Sequence, residues 1–372
     1  MHVVVFLTFG VSLKDWDKSG LLSREILVYK KLHKEENINF TFVTFGDLDD
    51  EKYFDEFKII PYYKHNRKYN NKLFSFFQSI IFSIKLKNLI FKPDLIKTNQ
   101  LMGSWMAIIF KFISSTPLLT RTGYDLFRFS IHEKKNFFKK IFYYILTQLT
   151  LIFSDKYLVS SSTDKNFLKK NFLGTNKISV LPNWVLINNE YGEEDISNRK
   201  SETLLSVGRL EKQKNFSKLI TSFSKSDFEI DIVGDGSEEK KLKQIADETS
   251  CKVNFLGTMN NSLLRTFYSN YLIFISTSNY EGNSKTILEA KANGCIVIAK
   301  NNENNKEIIK SNEDGILYDE EDLVELVTNL IHNEKLVNSI SKNAFQNVSD
   351  NNSIEIVAEK EVKFYKNILG LD

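Results

Sequence analysis

The stretch covering residues 271–299 alternates between apolar runs and a helical pattern, and this order constrains the fold more than any other feature. Tyr271–Thr277 is apolar and ends in Ser/Thr, a glycine-containing loop follows, and a helical run ends at Asn293-Gly294 before the apolar run Cys295–Ala299. Strand, loop, helix and strand in this order form a βαβ unit of a doubly wound parallel sheet. Ligands of such sheets bind at the carboxyl ends of the strands, beside helix N-termini. The sequence therefore predicts a ligand site in the loop before the helix.

Two glutamates lie in this unit. Glu281 and Glu289 have seven residues between them, and a glycine follows the first. The pattern puts Glu281 in the loop and Glu289 about one helical turn beyond it. Two carboxylates at different depths of one crevice suit a ligand rich in hydroxyl groups, such as a sugar joined to a ribose. A solvated acidic loop followed by a glutamate on a helix surface would show the same spacing, so spacing alone leaves both interpretations open.

Strand and helix signals alternate along the whole chain, which is typical of parallel sheets with helices on both faces. A loop with Ser19-Gly20 follows the first strand, and a helix then runs through about His33. The strands predicted in the first half are Val3–Phe9, Asn39–Gly46, Lys58–Tyr62, Asp94–Thr98, Leu118–Thr122, Lys156–Ser160 and Ile178–Leu181. The helices predicted between them include Leu73–Ile90, Gly103–Phe112 and Asn136–Phe153. The strands predicted in the second half are Leu204–Val207, Glu229–Val233, Val253–Leu256, Leu272–Ser276, Ile296–Ala299 and Ile316–Tyr318, and the chain ends in a predicted helix, Ser353–Leu369.

Length and composition narrow the class of protein. A chain of 372 residues fits two domains, and 42% hydrophobic with 26% charged residues is typical of a soluble globular protein. Cys251 and Cys295 both lie in or beside apolar runs, which argues against a disulfide scaffold. We expect no signal peptide before the first strand. The longest apolar stretches, Leu73–Ile84 and Ile141–Phe153, contain 12 and 13 residues. Both are shorter than the ~20 residues that span a bilayer. We expect a cytoplasmic protein.

The distribution of charge adds a possible partner. A net charge of +3 is too small to indicate nucleic-acid binding. Lys64–Lys72 and Lys134–Lys140, however, interleave lysines with Phe and Tyr in the first half. Such clusters beside short apolar helices suit an anionic membrane surface, and we expect a peripheral protein at the inner face of the cytoplasmic membrane. An abundance of Lys, Asn, Phe and Ile throughout the chain would produce the same clusters.

Several segments resemble one enzyme family. The pattern E-G-x-x-K-x-x-x-E-A-x-x-x-G-x-x-V-x-A, which starts at Glu281, resembles the signature of family 4 glycosyltransferases, the glycosyl transferases group 1. Ser206–Leu210 followed by Lys214-Asn215, then Ile232–Gly236, then Phe255–Gly257, are similar to that family's segments in the same order. Ile178–Trp184 resembles its domain-closing strand and hinge. The resemblance covers roughly residues 155 to 300.

The resemblance implies an α/β fold of GT-B architecture, with two Rossmann-like domains facing across a cleft. We expect an acceptor-binding domain at 1–185, a linker at 186–200, a nucleotide-sugar-binding domain at 201–352, and a C-terminal helix at 353–372 that crosses back towards the first domain. The implied activity is that of a retaining, metal-independent transferase that uses a nucleotide-diphosphate sugar. A UDP-sugar is the expected donor, and the nucleotide base stays open. A glycan or lipid-linked sugar is the expected acceptor, in bacterial surface polysaccharide synthesis.

The donor-binding residues are carried over from the resemblance. Arg209 and Lys214, five residues apart on a loop after a strand, would stabilise the diphosphate, with Glu281 beside them as the third catalytic candidate. Glu281 would bind a hydroxyl of the donor sugar, and Glu289 the ribose. The remaining donor-binding candidates are the loop and helix N-terminus and three glycines elsewhere: Gly282, Asn283, Ser284, Lys285, Thr286, Gly20, Gly208 and Gly234. Asn283 and Ser284 stand where the family more often has glycine or an aromatic residue.

The acceptor-side candidates follow a first-half strand. Arg121, Tyr124 and Asp125 lie at the ligand-facing end of Leu118–Thr122. Family relatives often have a histidine near this point, and this sequence has none between His65 and His132. We expect His132 to be a solvated loop residue.

Two further motifs resemble ligand-binding patterns but predict ordinary turns. Asp47-Leu-Asp49 resembles a metal-binding D-x-D, but it belongs to an acidic run that we predict to be a solvated turn. Gly234-Asp-Gly236 lacks the third glycine of a dinucleotide fingerprint, because Glu239 stands there, and it predicts a tight turn from strand to helix. We expect no metal site. Two other functions stay open from the sequence, namely a non-catalytic partner subunit with the same fold and an epimerase-like enzyme that acts on the nucleotide sugar alone.

Overall fold

The chain forms two compact units, each built on one parallel sheet. The computed structural model describes residues 1–187, 196 and 198–371, apart from the side chain of Lys72. Most of the predicted linker, 186–200, therefore lies outside the described residues. The first unit contains residues 1–181 and 358–372, and the second contains residues 182–357. The two parallel-sheet α/β units agree with the predicted fold class.

The first unit has a seven-stranded sheet in the order β3-β2-β1-β4-β5-β6-β7. Its strands are β1 His2–Phe6, β2 Asn39–Thr44, β3 Lys58–Pro61, β4 Leu95–Thr98, β5 Leu118–Thr122, β6 Lys156–Val159 and β7 Ile178–Val180. Its helices are α1 Leu13–Lys18, α2 Leu22–Glu25, α3 Leu27–Glu36, α4 Tyr62–His65, α5 Lys72–Leu89, α6 Ser104–Ser114, α7 Leu126–His132, α8 Phe137–Phe153 and α9 Ser162–Asn171. All seven predicted strands of this half are present.

The second unit has a six-stranded sheet in the order β10-β9-β8-β11-β12-β13. Its strands are β8 Thr203–Val207, β9 Glu229–Val233, β10 Lys252–Phe255, β11 Ile273–Ser276, β12 Ile296–Lys300 and β13 Ile316–Tyr318. Its helices are α10 Phe216–Ser222, α11 Glu239–Thr249, α12 Asn261–Tyr268, α13 Lys285–Ala292, α14 Asn305–Ile308, α15 Leu323–Ile331 and α16 Glu334–Asn352. The last helix, α17 Ile354–Leu369, belongs to the first unit from Ala358 onward.

The central strands of the second unit are buried on both faces, whereas the edge strand β10 is partly exposed. Ile273 and Ile275 of β11 pack into one apolar cluster, whereas Phe274 between them packs into the other. Side chains alternate across a strand, so two helical layers must cover this sheet. The continuous apolar runs seen in the sequence are the consequence of this burial.

One segment of the first half differs from the prediction. The sequence indicated a strand through Phe9 and then a loop as far as Gly20, but β1 ends at Phe6 and α1 occupies Leu13–Lys18. A capping box starts α1: the Ser12 side chain accepts a hydrogen bond from the Asp15 amide, and the Asp15 carboxylate accepts from the Ser12 amide. Six residues are too few for a periodic pattern, so this short helix was missed.

The acidic run after β2 also differs in part. Leu48–Lys52 forms a 3₁₀ helix, and Asp49 is exposed as expected of a solvated turn. Asp50, in contrast, is buried, and its carboxylate accepts hydrogen bonds from the amides of Leu13 and Lys14 at 3.1 and 3.3 Å. The prediction of a solvated turn is therefore wrong for Asp50, which caps α1.

Candidate functional site

Three glycine turns meet at the carboxyl edge of the second sheet. The amide of Gly208, after β8, donates to the carbonyl of Val233 at 3.0 Å, and the amide of Gly234, after β9, donates to the carbonyl of Gly257 at 2.8 Å. A Cβ atom on Gly234 would lie 2.0 Å from the carbonyl oxygen of Gly208. Gly234 also has a φ of 139°, which favours glycine. The Gly234-Asp-Gly236 turn therefore holds the Gly208–Leu210 loop in backbone contact.

A buried ion pair lies beside these turns. The Lys214 Nζ is 2.5 Å from Glu281 Oε1, and the two side chains are only 15% and 9% exposed. The aliphatic part of Lys214 runs over Gly208, where a Cβ atom would lie 3.2 Å from Lys214 Cε. The structure thus brings two of the three catalytic candidates into direct contact.

Polar contacts join the loops that supply this pair. Gln213 Nε2 donates to the carbonyl of Tyr280 at 2.8 Å and lies 3.4 Å from Glu281 Oε2. Thr277 Oγ1 donates to the carbonyls of Lys214 and Asn215 at 3.1 and 3.0 Å. Sequence reasoning did not identify Gln213, although its position next to Lys214 was a signal. The loops after β8 and β11 are therefore fixed to each other at the ion pair.

Arg209 lies on the same loop as Lys214 but outside this pair. Its side chain is exposed, and among the described residues no hydrogen bond or ion pair joins it to Lys214 or Glu281. The structure thus places a buried ammonium and an exposed guanidinium on one loop after β8.

Glu289 lies in the second turn of α13 and is buried. Asn261 Nδ2 and Tyr268 Oη, both from α12, lie 3.4 Å from its two carboxylate oxygens. Neither residue was predicted to belong to the site. Asn261 opens the helix that follows Phe255–Gly257, so its place in that segment was the available signal.

Asn283, in the loop before α13, and Lys285, the first residue of α13, both contact other residues of the second unit. The Asn283 Oδ1 accepts a hydrogen bond from the Asn183 amide at 2.9 Å, and the Asn283 carbonyl accepts from Asn183 Nδ2 at 2.6 Å. The Lys285 Nζ lies 5.3 Å from the centre of the Trp184 ring. These two candidates therefore contact the segment that opens the second unit.

The other members of this loop surround the start of α13. Gly282 and Ser284 are buried, and Ser284 is the N-cap of α13 without a side-chain capping bond. Its hydroxyl lies 3.2 Å from that of Thr286. The first turn of α13 therefore starts next to Glu281, with its helix dipole positive at this end.

The candidates of the first unit have separate environments. Gly20 follows α1 with a φ of 68°, and its amide donates to the carbonyl of Asp17 at 2.9 Å. Tyr124 is 38% exposed and packs against Phe129 at 4.8 Å between ring centres. Arg121 is partly buried, and its charge acts on the buried carboxylate of Glu361 in α17.

Asp125 is buried and caps a helix. Its carboxylate accepts a hydrogen bond from the Arg128 amide at 2.6 Å at the start of α7. Burial raises the pKa of Asp125 from 3.8 to about 7, and the neighbouring carboxylate of Asp164 adds to this effect while Arg128 opposes it. Only 1% of the Asp125 surface is exposed, so Asp125 serves as a helix cap within the first unit. Tyr124 is the most exposed of the three acceptor-side candidates.

Two further predictions concerned a metal site and the position of His132. Within the part of the chain that the structure describes, no group of three or more His, Cys, Asp or Glu side chains could hold a metal ion. His132 lies in the last turn of α7 and is exposed, so it is helical rather than in a loop.

One family model matches the part of the chain that contains the second-unit candidates. Residues 189–347 match the family model described as glycosyl transferases group 1. All the second-unit candidates lie within the group 1 match, from Gly208 to Glu289.

Two curated relatives are similar to part of the chain. The chain is 29% identical over 209 residues to the amylovoran biosynthesis glycosyltransferase AmsD of Erwinia amylovora, covering 53% of the chain and 58% of the relative. It is 29% identical over 196 residues to an N-acetylgalactosaminyltransferase of Campylobacter jejuni whose name includes a diphospho-undecaprenol acceptor, covering 50% and 53%. The chain thus spans little more than half the length of these relatives.

A solved structure supports the fold. The structure of Anabaena Alr3699/HepE in complex with UDP superimposes with a TM-score of 0.76 at 16% identity, covering 99% of this chain and 100% of that one. At this identity the similarity concerns the fold alone. The predicted fold class, with two parallel-sheet α/β units of GT-B type, is confirmed.

Proposed function

We propose that this protein is a retaining glycosyltransferase that moves a sugar from a nucleotide-diphosphate sugar to a glycan or lipid-linked acceptor. The observation that carries the proposal is the buried Lys214–Glu281 pair, which lies beside Gly208 at the carboxyl edge of the second sheet. A cation and a carboxylate held together here suit a ligand with both phosphate and hydroxyl groups. The match to the group 1 family supports the same activity.

Donor binding is assigned to the second unit. Lys214 and Arg209 would bind the diphosphate, the first from a position held by its ion pair with Glu281 and the second from an exposed position. Glu281 would accept a hydrogen bond from a sugar hydroxyl, and Glu289 from the ribose. The backbone amides around Ser284 would add donors at the positive end of α13. A UDP-sugar is our first choice, because a similar fold has been solved with UDP.

The proposed reaction is a front-face substitution at the anomeric carbon. The bond from this carbon to the diphosphate oxygen breaks as the acceptor oxygen bonds to the same face, and the leaving phosphate takes the acceptor proton. The negative charge on the leaving phosphate grows in the transition state, so fixed positive charge there lowers the barrier. Lys214 and Arg209 would supply it without a metal ion. We expect activity to survive EDTA and the product to keep the anomeric configuration of the donor.

The acceptor is assigned to the first unit, with Tyr124 and Arg121 as the candidates that retain some exposed surface. A lipid-linked glycan is proposed because one relative is named for a diphospho-undecaprenol acceptor and another for amylovoran biosynthesis. Such a substrate would place the protein at the inner face of the cytoplasmic membrane. Bacterial surface polysaccharide synthesis is the corresponding biological role.

The test compares substitutions of three basic residues on one loop, namely Arg209, Lys212 and Lys214. Purified protein would first be screened with UDP-, GDP- and ADP-sugars by thermal shift, because a ligand that binds the folded state raises its stability. With the donor found, Lys214→Met and Arg209→Ala should each lower the transfer rate by about 10²-fold. Lys212→Met removes an exposed lysine two positions away and should leave the rate unchanged. Near-normal turnover by a folded Lys214→Met variant would contradict the assignment.

Two further measurements address the rival functions. Transfer of sugar to any acceptor above background excludes a non-catalytic partner subunit. Conversion of the nucleotide sugar in the absence of acceptor would instead support an epimerase-like enzyme. Assignment of an inverted anomeric configuration in the product by NMR would overturn the retaining mechanism.

A further inference from the structure

Two helices of the first unit flank a third and leave their outer sides uncovered by the described residues. Trp105 Nε1 of α6 donates to Ser79 Oγ of α5 at 2.9 Å. On the other side, the hydroxyls of Ser104 in α6 and Thr150 in α8 are 2.8 Å apart. The central helix α6 is therefore held between α5 and α8 in one layer.

The outer sides of α5 and α8 carry exposed apolar side chains in stripes. On α5 these are Leu73, Phe74, Phe77, Ile81 and Ile84, and Phe77 is 60% exposed. On α8 the corresponding residues include Phe138, Ile145, Leu149 and Ile152, and Phe138 is 81% exposed. Positions three, four and seven apart share one side of a helix, so each set forms a continuous stripe. We refer to these nine residues as the α5–α8 face.

This face is too apolar for an ordinary water-exposed surface. Single exposed apolar residues are common, but a continuous apolar stripe on each of two helices in one layer marks an interaction surface. None of the described helices is long and apolar enough to cross a membrane. An amphipathic helix of this kind lies in the plane of a bilayer surface, with its apolar side among the acyl chains.

The charges around the face select the partner. Residues 72–89 contain three lysines and no Asp or Glu, and residues 134–153 contain four lysines and no Asp or Glu. A symmetric contact between two copies would bring these lysines towards each other, since both copies use the same surface. An anionic phospholipid surface offers the opposite charge.

We propose that the α5–α8 face docks the first unit on an anionic lipid bilayer. The apolar stripes enter the interfacial region, and lysines such as Lys139 meet the lipid phosphates. Docking on the bilayer would bring the protein to a lipid-linked acceptor, and in this respect the inference rests on the proposed function. Vesicle binding needs no sugar, so loss of docking and loss of transfer are separate results.

Some lysines of the two basic clusters already have partners within the first unit. Lys64 forms an ion pair with Glu51 at 2.8 Å, and Lys68 lies over the Tyr63 ring at 5.7 Å. These lysines of the Lys64–Lys72 cluster have partners within the first unit. Lys135 is likewise paired, with its Nζ 3.0 Å from Glu133 Oε2. We therefore assign the docking to Lys139, Lys140 and the apolar stripes of α5 and α8.

The test measures sedimentation of the full chain with vesicles of phosphatidylcholine alone and with phosphatidylglycerol added. Binding should require phosphatidylglycerol and weaken in 1 M salt, where the Debye length is about 3 Å. Phe77→Ser/Ile81→Ser should weaken binding by about tenfold or more through lost apolar burial. Lys139→Glu/Lys140→Glu should weaken it similarly at low salt.

Matched controls come from the second unit. Leu263→Ser removes an exposed apolar side chain from α12, and Lys240→Glu/Lys241→Glu reverses two adjacent exposed lysines on α11. Both should bind vesicles as the unaltered chain does. If these controls lose binding as much as the α5–α8 variants, charge alone attracts the protein and the proposed face is wrong.

A tryptophan probe tests insertion directly. Phe77→Trp should show blue-shifted emission with anionic vesicles and quenching by brominated acyl chains. Emission that stays unchanged overturns docking through α5. So does a concentration-dependent dimer that Phe77→Ser/Ile81→Ser abolishes without any vesicle binding, because the face would then join two copies.

Discussion

At the scale of single residues, Asn283 shows how a loop can be held by a side chain that was expected to contact the ligand. Its amide oxygen and its carbonyl both accept hydrogen bonds from Asn183. The pair therefore fixes the backbone next to Glu281, and we infer that Asn283 is a positioning residue. Its effect on a donor would come through the loop.

This inference predicts a specific kinetic change. Asn283→Ala removes the acceptor of the half-buried Asn183 amide, which costs about 0.5–1.5 kcal/mol. We expect the KM for the donor to rise more than kcat falls, and amide exchange to increase over residues 281–288. Asn279→Ala, at an exposed position of the same loop, serves as the control. Unchanged KM and unchanged exchange would show that Asn283 has no positioning role.

Asp125 is a second residue whose environment has a measurable consequence. Its pKa of about 7 in the folded chain exceeds its ordinary value of 3.8 because of burial. The folded state then binds the proton more tightly than the unfolded state, so stability falls as pH rises between these two values. The change amounts to as much as about 4 kcal/mol across the window.

Asp125→Asn tests this dependence. Asparagine can still cap α7, but it does not ionise, so the variant should lose most of the decrease in stability between pH 4 and pH 7. The readout is the unfolding temperature of the first unit as a function of pH. Asp49→Asn, at an exposed position, should leave the slope in that window unchanged. A slope that Asp125→Asn does not reduce would assign the titration to other groups.

At the scale of elements, the candidate site depends on turns more than on strands. Gly234 lies where the turn after β9 touches the loop after β8, and its φ of 139° is unfavourable for other residues. The strands themselves were predictable because buried strands are continuous apolar runs. The contact between the two turns was not, since it depends on which strands are neighbours in the sheet.

Gly234→Ala should therefore damage the second unit locally. A Cβ atom 2.0 Å from the Gly208 carbonyl oxygen forces the two turns apart, and strain of this kind costs on the order of 1–3 kcal/mol. We expect a lower unfolding temperature and weaker donor binding together. Gly257→Ala is the matched control, because its φ is also positive but no atom lies within 4 Å of the added Cβ. Equal effects of the two substitutions would attribute the change to backbone conformation alone.

At the scale of the whole molecule, one buried ion pair joins residues 264 positions apart in sequence. Lys97 of β4 and Glu361 of α17 are both fully buried, and the hydroxyl of Tyr365 donates to the same carboxylate. Burial alone would raise the pKa of Glu361, but the charges of Lys97 and Arg121 outweigh it and hold that pKa below 4.5. The pair anchors the end of the chain to the first sheet.

Breaking this pair should cost more than any surface change on the same helix. Glu361→Gln leaves the Lys97 charge buried without its partner, a loss of about 3–5 kcal/mol in denaturant unfolding. Lys97→Met/Glu361→Leu should recover much of that stability, because both charges are gone. Glu359→Gln breaks the exposed Glu359–Lys363 pair of α17 and should have no measurable effect. If Glu361→Gln is equally harmless, α17 is not anchored through this pair.

The resemblance to a known family supplied the candidates Lys214, Glu281 and Glu289. The sequence by itself determined the βαβ order and the two parallel sheets. It could do so because continuous apolar runs and glycine-containing loops are local properties of a chain. Only the tertiary structure decided which of these side chains meet. It paired Lys214 with Glu281, gave Asn283 to Asn183, buried Asp125 as a helix cap and left the stripes of α5 and α8 exposed. Those outcomes depend on packing between segments far apart in sequence, and no local pattern encodes that packing.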